Sequence, residues 1–303
     1  MKKKVSVGVI AHNEEGNIAH LLDCLLKQNE YIFEIGEIIV VSSGSIDDTD
    51  KIVHKYAKKF NKIVLITEEK RKGKYSAINE FLNVCNEDYL VLISADVIPQ
   101  KNFLEEICKP LLLNNVGVVA SRPKNLKNNS RILDFTNNLQ WELAHRISLK
   151  DPKYGEAISF KKIFTSLEST TVDEEYIAMF VKSNGYIGAY AHRAVVYNKG
   201  PNNLKEYLNQ RRRIYCGHLW LKRNGYKPSS MKSELILKCL FRIFRVSKVH
   251  LLVISLLLES LGRVLGTLDF YSKKNHLMWD MAKSTKRVYD GFSSKDKNST
   301  ENF

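Results

Sequence analysis

The first 120 residues alternate between short apolar runs and segments with the spacing of amphipathic helices. Apolar side chains at Ile18, Leu21, Leu22 and Leu25 recur every three or four residues, as on one face of a helix. Runs typical of buried strands flank such segments, at 4–11, 37–42, 62–67, 89–94 and 116–120. Because strands that alternate with helices indicate crossover connections, the pattern predicts a doubly wound α/β domain with a mostly parallel sheet. Ligands of such domains lie beyond the carboxyl ends of the strands.

The regular alternation of strand and helix patterns ends after residue 123. The segments predicted there are, in order, a helix through Trp141 and His145, an irregular stretch over 151–164, a helix over 173–184, a strand over 186–197 and a basic helix over 204–223. We therefore expect one α/β unit over 1–230, with a first half over 1–123 and a second half over 124–230.

A third pattern begins at Glu234, where basic and apolar positions alternate as in an amphipathic helix. Residues 251–258 are nearly all apolar, but Glu259 and Arg263 interrupt the run, and a helix that crosses a bilayer needs about 20 apolar residues. The pattern favours a helix that lies in the headgroup layer. An amphipathic hairpin packed on the domain or on a dimer partner is the alternative.

The composition of the chain indicates a strongly basic protein. The 303 residues carry a net charge of +14, which favours an anionic partner such as nucleic acid, nucleotide phosphate or an acidic membrane surface. The five cysteines form no CxxC pair, so the sequence predicts neither a zinc knuckle nor a disulfide framework. We expect a reducing, cytosolic setting. We assign 231–290 to membrane-associating amphipathic and hydrophobic helices and 291–303 to a polar tail.

Asp96 is the first candidate for chemistry. It follows the apolar run 89–94, and a carboxylate at the end of a buried strand is unfavourable unless it has partners. Mg²⁺ and Mn²⁺ prefer oxygen ligands and are held by one or two carboxylates together with substrate phosphates. Asp96 is therefore a candidate metal ligand beside a diphosphate, and a turn role before Pro99 is the alternative.

Other polar groups stand near the ends of predicted elements, each with a structural alternative. Residues 13–15 either bind a ligand or cap a helix. Lys74 belongs to a basic loop that either holds phosphate or is solvated. Asp173 and Glu174 begin a helix, where a carboxylate either acts as a general base or complements the helix dipole. Residues 210–213 either bind phosphate or face water or anionic lipid.

The order of these groups is more specific than any one of them. Along the chain stand Ala11-His12-Asn13-Glu14-Glu15, the run VVSSGSIDDT over 40–49, Gly73-Lys74 with Ala77-Ile78-Asn79, Ser94-Ala95-Asp96, Asp173-Glu174 and Gln210-Arg211-Arg212-Arg213. Over about residues 4–225 this series resembles family 2 glycosyltransferases of the GT-A fold. Asp173-Glu174 is similar to their acceptor-base motif, and 210–213 to the Gln-x-x-Arg-Trp motif of cellulose- and hyaluronan-type synthases.

The resemblance implies that a nucleotide-sugar donor binds in the half formed by 1–123 and an acceptor in the half formed by 124–230. It implies Glu174 as the general base with Asp173 beside it, and Asp96 as the ligand of Mg²⁺ or Mn²⁺. The donor-binding positions that it implies are Ala11, Asn13, Glu15, Ser42, Asp48, Lys74, Asn79, Ser94, Ala95, Asp96, Gln210, Arg211 and Arg213.

Three departures from the family pattern narrow these expectations. Ser94 replaces the usual first Asp of the Asp-x-Asp motif, which leaves Asp96 as the metal ligand. Ser42 replaces the Asp that often contacts a uracil base, so the donor base stays open. Ile214 replaces the Trp of the last motif, so neither an acceptor stacking surface nor repeated addition is implied.

These features predict an inverting glycosyltransferase that acts on a glycan or lipid-linked acceptor at the cytoplasmic face of a membrane. Attraction to anionic headgroups explains both the charge and the amphipathic helix. A homo-oligomer through the C-terminal helices is a further expectation, and Gly155 and Glu156 are expected to face the acceptor. The alternatives are a nucleotidyltransferase, which releases pyrophosphate, and a basic nucleic-acid-binding protein, which explains the charge but neither Asp96 nor Glu174.

Overall fold

The computed structural model describes residues 1–127, 129–243, 248–278 and 283–286. The strands in this part of the chain are β1 (Lys3–Ala11), β2 (Phe33–Ser43), β3 (Ile63–Glu68), β4 (Tyr89–Ser94), β5 (Val97–Pro99), β6 (Val116–Asn125), β7 (Ala157–Lys161) and β8 (Ile187–Asn198). The α-helices are α1 (Ile18–Leu26), α2 (Thr49–Lys59), α3 (Lys74–Val84), α4 (Phe103–Cys108), α5 (Arg131–Ser148), α6 (Asp173–Ser183), α7 (Leu204–Arg223), α8 (Ser233–Ile243) and α9 (Val249–Tyr271).

The eight strands form one sheet in the order β3-β2-β1-β4-β7-β6-β8-β5. Strands β3, β2, β1 and β4 are parallel, so their carboxyl ends, including Ala11, Ser43 and Ser94, lie along the same edge. The predicted α/β class is confirmed. Among the described strands, four of the seven pairs are parallel, and three are antiparallel, because β7 pairs antiparallel with β4 and β6, and β5 with β8.

Strand β7 corrects the irregular stretch predicted over 151–164. Ile158 and Phe160 are fully buried on one face of the sheet, and their neighbours in β4 and β6 are far away in the sequence. A five-residue strand that follows a polar loop has too few positions for its alternation to stand out. Its strand conformation therefore depends on partners that only the folded sheet supplies.

Both faces of the sheet are covered by helices, which makes its strands apolar on both sides. Helices α1, α2 and α4 cover one face, and α3 and α6 cover the other. Gly8 in β1 shows how close the layers come, because a Cβ atom there would lie 2.8 Å from the ring of Phe81 in α3.

The C-terminal helix α9 packs along α7. A Cβ atom at Gly262 would lie 2.7 Å from the Cβ of Arg211, so glycine allows the two helices to approach closely. Glu259 and Arg263, which interrupt the apolar run, bond to each other, and Glu259 also bonds to Arg211. These charges are therefore paired within the protein, although the Arg263 side chain is 35% exposed.

Within the described residues, α9 alone is long and apolar enough to cross a membrane, with 23 residues and a mean hydropathy of 1.8. This criterion rests on length and composition only. The two charges at Glu259 and Arg263 are too few to remove α9 from this class, and the expected position in the headgroup layer stays a prediction. The polar tail predicted over 291–303 lies outside the described residues.

Candidate active site

One lysine connects the end of strand β4 to the start of helix α6. Lys74, the first residue of α3, donates from Nζ to Ser94 Oγ at 3.2 Å and forms an ion pair with Glu174. Asp96 follows two residues after Ser94. All four residues line one cavity of about 1340 Å³ at the carboxyl edge of the sheet. The structure thus brings together the predicted metal ligand, a cation and the predicted general base.

Asp96 lies near two other carboxylates. Burial raises the pKa of Glu14 and of Glu156 to about 7, and the charge of Asp96 is the second cause in both cases. Asn198 Nδ2 donates to Glu156 Oε2 at 2.7 Å, and Lys286 forms an ion pair with Glu14. Asp96 thus repels both Glu14 and Glu156, and a cation bound beside Asp96 would relieve this repulsion.

The residues around Asp96 fit a divalent cation that is shared with a substrate. Within the described residues, no group of three or more histidine, cysteine or acidic side chains is close enough to hold a metal ion by itself. Mg²⁺ in particular is held by one or two carboxylates and completes its coordination with substrate phosphates and water. Asp96, with Glu14 or Glu156 as a second carboxylate, suits such a cation.

The acidic pair at the start of α6 has two different environments. Burial raises the pKa of Glu174, but the charge and hydrogen bond of Lys74 outweigh it, so the pKa of Glu174 lies below its usual value. Burial and the adjacent Glu174 raise the pKa of Asp173 to about 7. Asp173 is only 2% exposed, and its Oδ1 has no hydrogen-bond partner among the described residues. Glu174 is therefore the carboxylate that stays ionised at neutral pH.

The three consecutive arginines of α7 have different surroundings. Arg211 donates from Nε and Nη2 to Glu259 at 2.8 and 3.0 Å, and Arg212 donates from Nε and Nη2 to Asp269 at 2.6 Å each. Both acceptors belong to α9. Although Arg211 borders the cavity, its guanidinium is engaged with a helix rather than available as the expected phosphate clamp.

Arg213 lies at the acidic end of the cavity. Burial lowers the pKa of its guanidinium, and the charges of Asp173 and Glu174 raise it. Gln210 also lines the cavity, one helical turn before Arg213. Consecutive residues of a helix point in different directions, so a run of three arginines presents only one of them to the acids.

Asn13 and Glu15 join two loops instead of lining the cavity. Asn13 has a φ of 53° and accepts a hydrogen bond from Ile46 N at Oδ1, at 2.8 Å. Glu15 accepts from Asp48 N at 3.1 Å and is exposed. Glu14, between them, is the buried side chain near Asp96. Among residues 13–15, Glu14 is therefore the one that lines the cavity, together with Ala11 and His12 before it.

Ser42, Asp48 and Asn79 also lie outside the cavity wall. Ser42 Oγ donates to Ser45 Oγ at 2.8 Å, and Asp48 is an exposed residue before α2. Asn79 bonds to both backbone groups of Leu167, at 3.0 and 2.7 Å. These side chains hold loops in place. The expected donor positions that do line the cavity are Ala11, Lys74, Ser94, Ala95, Asp96, Gln210, Arg211 and Arg213.

Several cavity residues have no signal in the sequence pattern. Lys286 donates from Nζ to the carbonyl of His12 at 2.9 Å besides pairing with Glu14, although 272 residues separate the two side chains. Glu156 has a φ of 58°, and its carbonyl accepts from Ser94 N at 3.1 Å. The charges of Asp96 and Glu174 both act on Glu156 in the cavity, and its expected position facing the acceptor stays a prediction. Only long-range contacts bring these groups to the site.

A family model described as glycosyl transferase family 2 matches residues 6–167, which covers the strand ends that build this cavity. The chain belongs to glycosyl transferase family 2. This membership agrees with the resemblance that the ordered motifs give.

Relatives of known name agree with this family. The chain is 30% identical over 125 residues to an undecaprenyl-phosphate 4-deoxy-4-formamido-L-arabinose transferase of Proteus mirabilis, covering 40% of this chain and 37% of that protein. It is 24% identical over 243 residues to a poly-beta-1,6-N-acetyl-D-glucosamine synthase of Staphylococcus aureus, covering 74% of this chain and 56% of that protein. The chain thus spans between about a third and somewhat over half of the curated relatives it matches.

Solved structures share the fold. A mannosyltransferase of Pyrobaculum calidifontis, in complex with GDP-Man and Mn²⁺, matches with a TM-score of 0.65 and 19% identity over 91% of this chain and 89% of its own. A glucosyl-3-phosphoglycerate synthase of Mycobacterium tuberculosis, in complex with Mn²⁺, UDP and phosphoglyceric acid, matches with a TM-score of 0.51 and 21% identity over 70% of this chain and 76% of its own. At such identities the likeness shows the GT-A fold and no more.

Proposed function

We propose that this family 2 member is an inverting, metal-assisted glycosyltransferase that uses a nucleotide-sugar donor. The observation that carries the proposal is the chain of contacts from Ser94 through Lys74 to Glu174, with Asp96 at the same strand end. It joins a cation-binding carboxylate, a phosphate-binding ammonium and a base along one cavity. The solved structures that share the fold contain Mn²⁺ with GDP-Man or with UDP, which supports a divalent cation and a nucleotide-sugar donor here.

The proposed step is a single displacement. An oxygen of the acceptor attacks the anomeric carbon from the side opposite the diphosphate, and the bond from that carbon to the diphosphate oxygen breaks. Glu174 takes the acceptor proton, and the nucleoside diphosphate leaves. The lowered pKa of Glu174, due mainly to the charge of Lys74 against burial, keeps the base ionised for this transfer. Lys74 also orients it.

Charge on the departing diphosphate needs stabilisation. Mg²⁺ or Mn²⁺ held by Asp96, with Glu14 or Glu156 nearby, would act as a Lewis acid towards it. Arg213 and Lys74 add positive charge at the same end of the cavity. Because fixed charges act strongly in a partly buried site, Arg213 takes the clamp role expected of the arginine run.

The acceptor and the location follow from the helical layer. The two curated relatives differ in what their names state, an undecaprenyl phosphate in one and a poly-beta-1,6-N-acetyl-D-glucosamine in the other, so a glycan and a lipid-linked acceptor are both consistent with the family. Exposed Leu257, Val264 and Leu268 form a stripe along α9, and Phe241 is exposed on α8. With the net charge of +14, this supports a peripheral position on an anionic, cytoplasmic membrane face.

Two substitutions test the assignment. Asp96→Asn should remove Mn²⁺-dependent binding of the donor nucleotide and lower turnover by roughly a hundred- to a thousandfold, because it removes charge stabilisation of the leaving group. Glu174→Gln should keep donor binding and block transfer. The measurements are calorimetric binding of GDP and UDP with Mn²⁺ and the release of nucleoside diphosphate from a panel of sugar nucleotides.

Asp88→Asn, at an exposed position before β4, is the matched control and should behave as wild type. Full turnover in both Asp96→Asn and Glu174→Gln would refute the site. Release of pyrophosphate instead of nucleoside diphosphate would favour a nucleotidyltransferase.

A further inference from the structure

The cavity is larger than a donor site requires. Its volume of about 1340 Å³ exceeds the roughly 300–1,000 Å³ usual for one small ligand. Beyond the acidic end it continues between α5, α8 and α9, and this part is called the apolar groove below. The side chains that line the apolar groove are Leu139, Leu143, Ile236, Leu237, Leu240 and Leu256.

The apolar groove is continuous with the exposed apolar surface of the same helices. Leu237 and Leu256 line the groove and are nevertheless 54% and 42% exposed, so they belong to both. Leu257 follows Leu256, and Phe241 lies about one helical turn after Leu237; both are exposed as well. An apolar path therefore leads from the proposed membrane-facing surface to the catalytic acids.

Lys153 marks the junction between the groove and the acids. Its Nζ stands 5.3 Å from the centre of the Trp141 ring and makes no hydrogen bond or ion pair among the described residues. The backbone N of the next residue, Tyr154, donates to Glu175 Oε1 at 3.2 Å, which ties this turn to the first turn of α6, where Glu174 stands. A partly buried ammonium without a carboxylate partner is suited to binding an anion.

We infer that the acceptor is an amphiphile, a lipid with a phosphate-linked headgroup. Its hydrocarbon chain lies in the apolar groove, its phosphate binds at Lys153, and its reacting oxygen lies at Glu174. The inference rests on the proposed function, because Glu174 serves as the base for this acceptor. It narrows the acceptor from a glycan or a lipid-linked compound to the lipid-linked class, since a water-soluble saccharide has no use for an apolar path to the surface.

Binding of decyl phosphate, below its critical micelle concentration, tests this acceptor site in the full chain. Decanol and inorganic phosphate supply the chain and the anion separately, and calorimetry gives the Kd of each. Decyl phosphate should bind at least about tenfold more tightly than inorganic phosphate, because it buries apolar surface as well.

Variants separate the two parts of the site. Lys153→Gln should raise the Kd for decyl phosphate about tenfold without changing that for decanol, because a charge-assisted contact is lost. Lys153→Arg should retain binding, which shows that the fold tolerates substitution there. Leu237→Asp, at a half-exposed groove position, should weaken decyl phosphate but not inorganic phosphate. Lys150→Gln, an exposed lysine of the same loop, is the matched control.

Equal Kd values for decyl phosphate and inorganic phosphate, or unchanged binding in Lys153→Gln and Leu237→Asp, would overturn the lipid-acceptor assignment. Mn²⁺-dependent binding of GDP or UDP, measured in the same variants, should be unaffected. Loss of that nucleotide binding in the wild-type chain, with decyl phosphate still bound, would instead contradict the proposed function alone.

Discussion

The cavity has a donor end, around Asp96 and Lys74, and a helical end, around Arg211 and Arg212. Different kinds of contact build these two ends. At the donor end, Asp96 and Lys74 stand at element termini along the edge of a parallel sheet, where neighbouring strands converge. At the helical end, Arg211 and Arg212 are joined to carboxylates 48 and 57 residues later in the chain. The first arrangement follows from strand order. The second follows from how α9 lies on α7.

The donor end therefore carries the proposed catalytic groups, whereas the helical end holds two helices together. The charged groups of the donor end share one cavity and shift the pKa values of one another, which is typical of catalytic sites. In the arginine–carboxylate pairs of the helical end, each charge is neutralised by its partner. Substitutions at the two ends should therefore act on different quantities, turnover at the donor end and stability or membrane binding at the helical end.

The largest effect is expected at the donor end. Lys74→Met should reduce kcat/KM by about a thousandfold, roughly 4 kcal/mol of transition-state stabilisation, because it removes a fixed charge from the diphosphate and the base. The loss of its charge should raise the pKa of Glu174, so the acid limb of the kcat/KM profile should shift to higher pH. The profile is measured over pH 5 to 8. Lys72→Met, an exposed lysine of the same loop, is the control, and an unshifted limb would argue against Glu174 as base.

The next effect concerns stability. Arg211→Ala should lower the free energy of unfolding by about 3 kcal/mol, because it leaves Glu259 partly buried with Arg263 as its remaining guanidinium partner. Urea denaturation measures this loss. The double variant Arg211→Met with Glu259→Leu should recover most of it, since both charges are removed together. Equal losses in Arg211→Ala and in the exposed control Arg223→Ala would show that the α7–α9 pair contributes little.

Membrane binding should respond to the outer stripe of α9. Leu257→Asp combined with Leu268→Asp should reduce partition onto anionic vesicles at least about tenfold, because two leucines that are 65% and 60% exposed no longer enter the apolar layer. Vesicle co-sedimentation gives the partition coefficient. Leu113→Asp, an exposed leucine on the α/β domain, should leave it unchanged. A change from dimer to monomer with unchanged sedimentation would identify the stripe as a subunit contact instead.

The last effect is a pH dependence of stability. Burial raises the pKa of Glu14, Glu156, Asp173 and Glu175 to about 7, against about 4 in the unfolded chain. Between these values the folded state binds more protons than the unfolded state, so stability falls as the pH rises from about 5 to about 7. The Tm without metal should therefore fall as the pH rises over this range.

Mn²⁺ with GDP should reduce this drop, because a bound cation stabilises the ionised carboxylates at the donor end. Glu14→Gln should also flatten the curve, whereas the exposed control Glu69→Gln should not. A Tm that rises with pH in the metal-free protein would contradict the assignment of protonated carboxylates to this end of the cavity.

Much of the donor end was predictable because its residues follow buried strands in a fixed order. Asp96, Lys74 and Glu174 each stand within two residues of the end of a periodic segment, so local patterns locate them. The choice of Glu14 over Glu15 could not be made in this way. It depends on the conformation of the loop at Asn13, where φ is 53°, rather than on the sequence pattern.

The sequence by itself determined the α/β class, the family and the edge of the sheet that carries the chemistry, because periodicity and motif order are local properties of the chain. Only the tertiary structure decided that Asp96 has carboxylate neighbours in Glu14 and Glu156, although Ser94 replaces the usual partner. It also decided that Arg213, rather than Arg211, faces the acids. Both outcomes depend on contacts between distant segments, which form only when the packing of the helices and the antiparallel strand β7 is complete.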